Sequence, residues 1–167
     1  GVTGLQLHPV NCVDWDQADK YARFKSARLP SESEWEYAAT SGGKNQKYPW
    51  GNEAPTCDKA VMYGDGGYGC GKENTWPVCS KPAGNTAQGL CDMAGNVWQW
   101  LQDKYQYSYK GAPADGSAFE GAGSYRVLRG GSFYGSNTRS FRADCRHGRD
   151  PGVHYDNIGF RLARSSR

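Results

Sequence analysis

Apolar and polar positions alternate in two different rhythms along this chain. From Trp15 to Ala22 the apolar residues Trp15, Ala18, Tyr21 and Ala22 recur at helical spacing, predicting one buried stripe. Asp14 stands at the start with Gln17 three residues on, a capping-box variant. A second helix is predicted after Pro30, where Ser31-Glu32-Ser33-Glu34 forms a capping box. Trp35 and Ala38/Ala39 are its buried face, and Gly42-Gly43 stop it. The rhythm then shortens to two. Gly95–Leu101 (GNVWQWL) reads as a half-buried strand, and Tyr105, Tyr107 and Tyr109 extend the alternation. Tyr125–Leu128 and Ile158–Ala163 are further short strands, and the segment between them reads as a long surface loop. Residues 49–89 are Gly, Asn, Pro and Cys punctuation, predicting long ordered loops. The carboxylates Glu32, Glu34 and Glu36 invite a catalytic assignment. Their position in the first turns of a helix, where the macrodipole favours negative charge, explains them better.

Composition sharpens this picture. The chain has 167 residues, and neither a repeat nor a linker divides it, so one domain is expected. Aromatics reach 13%, with six Trp and eleven Tyr, beside 23 Gly, so rings rather than aliphatic chains supply much of the core. A net charge of +3 is too small to argue for nucleic acid. No apolar run is long enough to span a membrane, and no leader precedes Gly1, so a signal peptide is expected to be absent or removed. Cys12, Cys57, Cys70, Cys79, Cys91 and Cys145 contain no CxxC pair, which favours disulfides and an extracytoplasmic location: secreted, periplasmic or surface-displayed. Cys12, in the stretch Val10–Trp15, reads equally well as a free, buried thiol.

Six motifs then occur in order: HPVNCVDW (His8–Trp15), RLPSESEWEYAA (Arg28–Ala39), YPWGN (Tyr48–Asn52), GLCDMAGNVWQW (Gly89–Trp100), RVLRGGSF (Arg126–Phe133) and NIGFRLA (Asn157–Ala163). Together they resemble the formylglycine-generating enzyme (sulfatase-modifying factor) family. The resemblance implies an α+β fold, a variant of the C-type lectin fold with little regular secondary structure, two N-terminal helices and short antiparallel strands. Family domains usually carry more strands before the HPVN-like motif, so the chain is expected to be a short variant or a fragment. The family's oxidation of a substrate cysteine uses copper held by two thiolates, four and nine residues beyond the second Gly of the RGGS-type motif. Here those positions are Gly135 and Ser140, which offer no soft ligand. Cys145 aligns with a structural disulfide cysteine whose partner position is Ala39, so it is re-paired or free. A related branch holds iron with three histidines. His8, His147 and His154 form no such set and read as a loop anchor and two solvent-facing loop residues. No copper or iron is expected, and no catalytic residue is assigned.

The resemblance also implies a calcium site in the loop Asp92–Gln99, with Asp92, Gly95, Val97 and Gln99 as oxygen donors. Asp92 stands for the usual Asn and Gln99 for the usual Glu. A second family calcium site would need an Asn near Val61 and is missing. Phe133 to Ile158 contains no Lys, Glu, Gln, Met, Trp or Leu but is rich in Arg, Asp, Asn, Ser, Gly, His and Tyr. Such residues suit adaptable contact surfaces, and some relatives of this family are variable proteins of diversity-generating retroelements. The sequence therefore points to a non-catalytic module whose loop, about 133–158, binds a protein or glycan ligand or a neighbouring subunit. Phe133, Tyr134, Ser136, Asn137, His147, Arg149, His154 and Tyr155 are the contact candidates, with Arg142, Arg146 and Pro151 as framework. The alternatives are a diverged metal-dependent oxidase, with Ser132, Trp98 and Arg142 to test first, or a structural subunit of a surface assembly.

Overall fold

A computed structural model describes residues 4–64 and 66–164. Both capping boxes form. Asp14 accepts from the Gln17 amide at 2.7 Å while the Gln17 side chain accepts from the Asp14 amide at 3.1 Å, opening α1, Trp15–Phe24. Ser31 and Glu34 do the same for α2, Glu32–Ala39, at 3.2 and 2.9 Å. Each box satisfies amides that the first helical turn leaves without partners.

The strands are β1 (Trp98–Lys104), β2 (Arg126–Arg129), β3 (Arg146–Arg149) and β4 (Ile158–Phe160). They form one sheet in the order β3-β2-β1-β4, with β1/β2 and β2/β3 antiparallel; β1/β4 is parallel, so the sheet is mixed and not wholly antiparallel as expected. β1 pairs Trp100 with Leu128, and a register shift before Lys104 marks a bulge. The strand ends there, so Tyr105, Tyr107 and Tyr109 do not extend it. β3 corrects the sequence reading: Arg146–Arg149 is an edge strand, and Thr138–Phe141 before it is a 3₁₀ turn. The last strand also closes early, at Phe160 rather than Ala163.

On the α1 side, Trp15, Ala18, Ala22 and Leu29 pack with Trp100, Leu128 and Ile158. The alanines let the helix approach the sheet closely. Tyr21, assigned to the buried stripe, is instead 47% exposed and meets the Phe160 ring edge-on. On the α2 side, Trp35 and Ala39 pack with Met93, Leu101, Val127 and Ala143, while Ala38 is half-buried. The indole N–H groups of Trp15, Trp35 and Trp100 donate to Leu101 O, Gln99 Oε1 and Val13 O, at 2.7, 2.9 and 3.0 Å. Buried rings of this kind need such partners.

The punctuated region 49–89 is held by disulfides Cys57–Cys70 and Cys79–Cys91. The Asn96 side chain holds the Trp76 backbone, its Oδ1 accepting from Trp76 N and its Nδ2 donating to Trp76 O, both at 3.1 Å. Cys12 and Cys145 are free, and Cys12 is exposed rather than buried. The two ends of the described chain meet at β4. Asn11 bridges Gly159, Arg28 bridges Ala163, Cys12 N donates to Tyr155 O and Trp15 N donates to Pro151 O. A Cβ at Gly159 would lie 2.4 Å from Val10 O, so only glycine fits there.

The acidic residues of α2 do more than complement a macrodipole. The Glu32 carboxylate, 5% exposed, accepts from Arg129 Nε at 2.7 Å and from Arg146 Nε at 2.8 Å. Arg129 is fully buried and also reaches Glu36, the Ala143 carbonyl and the Tyr109 hydroxyl. Glu34 pairs with Arg28 at 2.6 Å. Glu32 and Glu36 thus tie α2 to β2, and Glu32 ties it to β3 as well.

Candidate functional site

Gly130 and Gly131 both adopt positive φ and turn the chain sharply out of β2. Ser132 and Phe133 are buried behind this turn, and Tyr134 emerges 37% exposed. Phe133 is thus a core residue, not a contact residue; its ring lies 4.1 Å, centroid to centroid, beneath that of Tyr134. Tyr134 also meets Tyr68 edge-on at 4.8 Å, and Tyr68 meets Tyr63 at 5.2 Å. Tyr63 and Tyr68 are 45% and 46% exposed, so the three rings form an open aromatic ladder. Across it, the Tyr134 hydroxyl donates to Asp156 Oδ2 at 2.7 Å, an acceptor that holds the phenol proton and raises its pKa. Tyr155, next to Asp156, is exposed as well.

Tyr63 and Tyr68 lay outside the sequence candidates. Their signal is a pair of tyrosines spaced by glycines in Tyr63–Tyr68, placed by Tyr63 N donating to Gly135 O and Gly69 N donating to Phe133 O. Ser136, Asn137 and His154 are exposed in the same segment; Asn137 accepts from Arg139 N and caps the 3₁₀ turn. His147 and Arg149 do not lie in a loop. They sit on β3, where His147 is half-buried 5.9 Å from the Trp98 ring, and burial plus the Arg149 charge lower its pKa. His8 shares a 2.8 Å hydrogen bond with Thr75, which is an anchoring role.

At the first position of the family's thiolate pair, packing leaves no room for a side chain. A Cβ at Gly135 would come within 2.7 Å of the Phe141 ring, and Ser140 lies in the 3₁₀ turn that carries Phe141. Ser132 is 2% exposed and accepts from Asn157 Nδ2 at 3.3 Å, so no reacting group can reach it. Arg142 is engaged by Asp144 at 2.6 and 2.7 Å. Among the open grooves beside α2, those of about 410 and 650 Å³ share Glu36, Thr40 and Lys44. Neither lining includes a histidine or cysteine.

Gly95 and Val97 lead into β1, while the Asp92 and Gln99 side chains are engaged by protein groups. Asp92 takes the Cys79 amide on Oδ2 at 2.7 Å, and burial pushes its carboxyl upward against the pull of Arg161. Gln99, 3% exposed, donates to Asp92 O at 2.8 Å and accepts from Trp35 and Arg161.

Comparison with known proteins accounts for this frame. A curated formylglycine-generating enzyme of Streptomyces coelicolor is 35% identical over 181 residues, covering 97% of this chain and 54% of the relative. The inactive C-alpha-formylglycine-generating enzyme 2 of Mus musculus is 37% identical over 174 residues, covering 95% and 49%. This chain therefore spans about half the length of these curated relatives. Among solved structures, Treponema denticola variable protein 1 superposes with a TM-score of 0.77 at 25% identity, covering 96% of this chain and 73% of that one. The model of the sulfatase-modifying factor enzyme 1-like domain matches residues 1–166. With the ordered motifs, the sparse sheet and the glycine turn after β2 all in place, the chain belongs to the sulfatase-modifying factor family.

Proposed function

We propose that this chain is a non-catalytic, extracytoplasmic binding module whose contact surface centres on Tyr63, Tyr68, Tyr134 and Tyr155, with a protein or glycan as ligand. One observation carries the reading: three exposed, mutually packed tyrosines stand beside the turn where family enzymes hold their metal thiolates, and here that turn is filled by Phe141. Exposed tyrosines offer large contact area at small entropic cost, and their hydroxyls add direction. An inactive relative and a structurally similar variable protein support a scaffold kept for recognition. The disulfides support an oxidising location.

The test is labelled protein on glycan and protein arrays, wild type against Tyr68→Ser/Tyr134→Ser, with Tyr107→Ser as control. Tyr107 is 97% exposed and takes no part in the ladder. The double variant should lose roughly tenfold or more in affinity, as expected for aromatic anchors. Ligands bound equally by all three proteins would refute the surface. Copper binding, with conversion of a peptide cysteine to formylglycine, would refute the non-catalytic reading.

A further inference from the structure

The resemblance places a calcium ion in the loop at Asp92, Gly95, Val97 and Gln99, and the structure allows that fit to be tested on the donors themselves. Calcium gathers six to eight oxygens around one positive centre. In this chain the gathering is done by a side chain. Arg161, the residue after β4, sends Nε to Gln99 Oε1 at 2.6 Å and one terminal nitrogen to Cys91 O and Asp92 O at 2.9 and 3.2 Å. Gln99 Oε1 takes a second proton from Trp35 Nε1 at 2.9 Å, which saturates both its lone pairs. Its Nε2 donates to Asp92 O. The Asp92 carboxylate, the one formal negative charge among the four residues, is already committed to the Cys79 amide. A divalent ion here would find its amide oxygen occupied and a guanidinium beside it. With both side chains of the implied set engaged within the protein, the Gly95 and Val97 carbonyls alone fall short of the six to eight oxygens calcium gathers, and the donor set does not fit the ion.

We infer that Arg161 is an internal cation that takes the place of calcium in this loop, so the Asp92–Gln99 conformation is held without metal. Gln at 99 follows from the same arrangement. A carboxylate there could accept from Trp35 and Arg161 but could not donate to the Asp92 carbonyl. The inference is independent of the ligand-binding surface, which lies in other residues.

The experiment uses metal-stripped protein, melted in millimolar calcium and in chelator, with calorimetric titration of calcium alone. Wild type should show neither a saturable calcium heat nor a shift in melting temperature; either one overturns the proposal. Gln99→Glu keeps Arg161 and should remain unresponsive to calcium; a calcium-dependent rise of a few degrees in this variant also overturns it. Removing the guanidinium while supplying a carboxylate, in Arg161→Met/Gln99→Glu, should create a calcium-dependent rise in melting temperature. If that pair does not fold, the wild-type and Gln99→Glu measurements decide the question unaided. If it folds and ignores calcium, the claim that Arg161 stands in the ion's place fails.

Discussion

Replacing Glu32 by Gln removes one charge and almost no volume from the most buried ion cluster in the protein. Glu32 is the only carboxylate shared by Arg129 and Arg146 among the described residues, and its side chain is 5% exposed. With an amide there, Arg129, which has no exposed side-chain surface, keeps its carbonyl and Tyr109 contacts but only Glu36, itself 40% exposed, as a carboxylate partner. Breaking one side of a buried pair costs about 3–5 kcal/mol, because the surviving charge stays out of water. Total stabilities are about 5–15 kcal/mol, so this is a large fraction. At about 2–4 °C per kcal/mol for a chain of this size, the melting temperature should fall by roughly 6–20 °C. Urea unfolding followed by tryptophan fluorescence, with disulfides intact, gives the free energy directly. Asp144→Asn is the reference: its pair with Arg142 is open to solvent, with side chains 60% and 34% exposed, and should contribute about 1 kcal/mol or less. In a double-mutant cycle, Glu32→Gln and Arg146→Met should couple by about 0.5–3 kcal/mol. Equal costs for Glu32→Gln and Asp144→Asn, or strictly additive effects in the cycle, would refute the assignment of Glu32 as the electrostatic tie between α2 and the sheet.

Three other outcomes are expected. Native protein should be alkylated first at Cys12, which is exposed, and more slowly at Cys145, whose thiol is pushed up by burial; peptide mapping after timed labelling reads the order, and denaturant without reductant should reveal two thiols in all. Gly135→Cys should destabilise by about 1–3 kcal/mol through overlap with Phe141, measured by thermal melts, and adding Ser140→Cys should not confer copper binding. His147 is held below its usual pKa in the folded state, so its contribution is fully present above the unfolded value of about 6.5 and is lost as pH falls from there through the lower folded-state value. His147→Gln should flatten the stability profile between about pH 7 and pH 5, and an unchanged slope would remove His147 as its source.

The parts legible in the sequence are those whose signal is local. Asp14/Gln17 and Ser31/Glu34 are capping pairs three residues apart, and Trp98–Leu101 shows a strand rhythm, although helices cover both faces of β1 and Gln99, Trp100 and Leu101 are all buried, not half-buried. β3 escaped detection because Arg-His-Gly-Arg has no apolar alternation. It joins the sheet through backbone pairing with β2, and Arg146 is anchored by Glu32, 114 residues away. The same distance hid the second role of Glu32 and Glu36. Of the contact candidates, Tyr134 and Tyr155 lie at the surface as read, whereas Phe133 follows its hydrophobicity inward and His147 and Arg149 follow the hidden strand. Tyr63 and Tyr68 join the site only because a glycine-rich loop from elsewhere folds across Gly135. Arg161 escaped attention as a member of a family motif, although its guanidinium is what Asp92 and Gln99 face.

The closure of the chain at β4 governs the order of assembly. Val13 accepts the Trp100 indole, Trp15 reaches Leu101 and Pro151, and Asn11 bridges Gly159. The first helix therefore has no complete seat until residues near 160 have left the ribosome. Such distant pairings are entropically costly to nucleate and fold slowly. During synthesis Trp35 can pack once Ala143 has emerged, whereas Trp15 and Trp100 complete their cluster only when Ile158 arrives, so the α1 side of the core closes last.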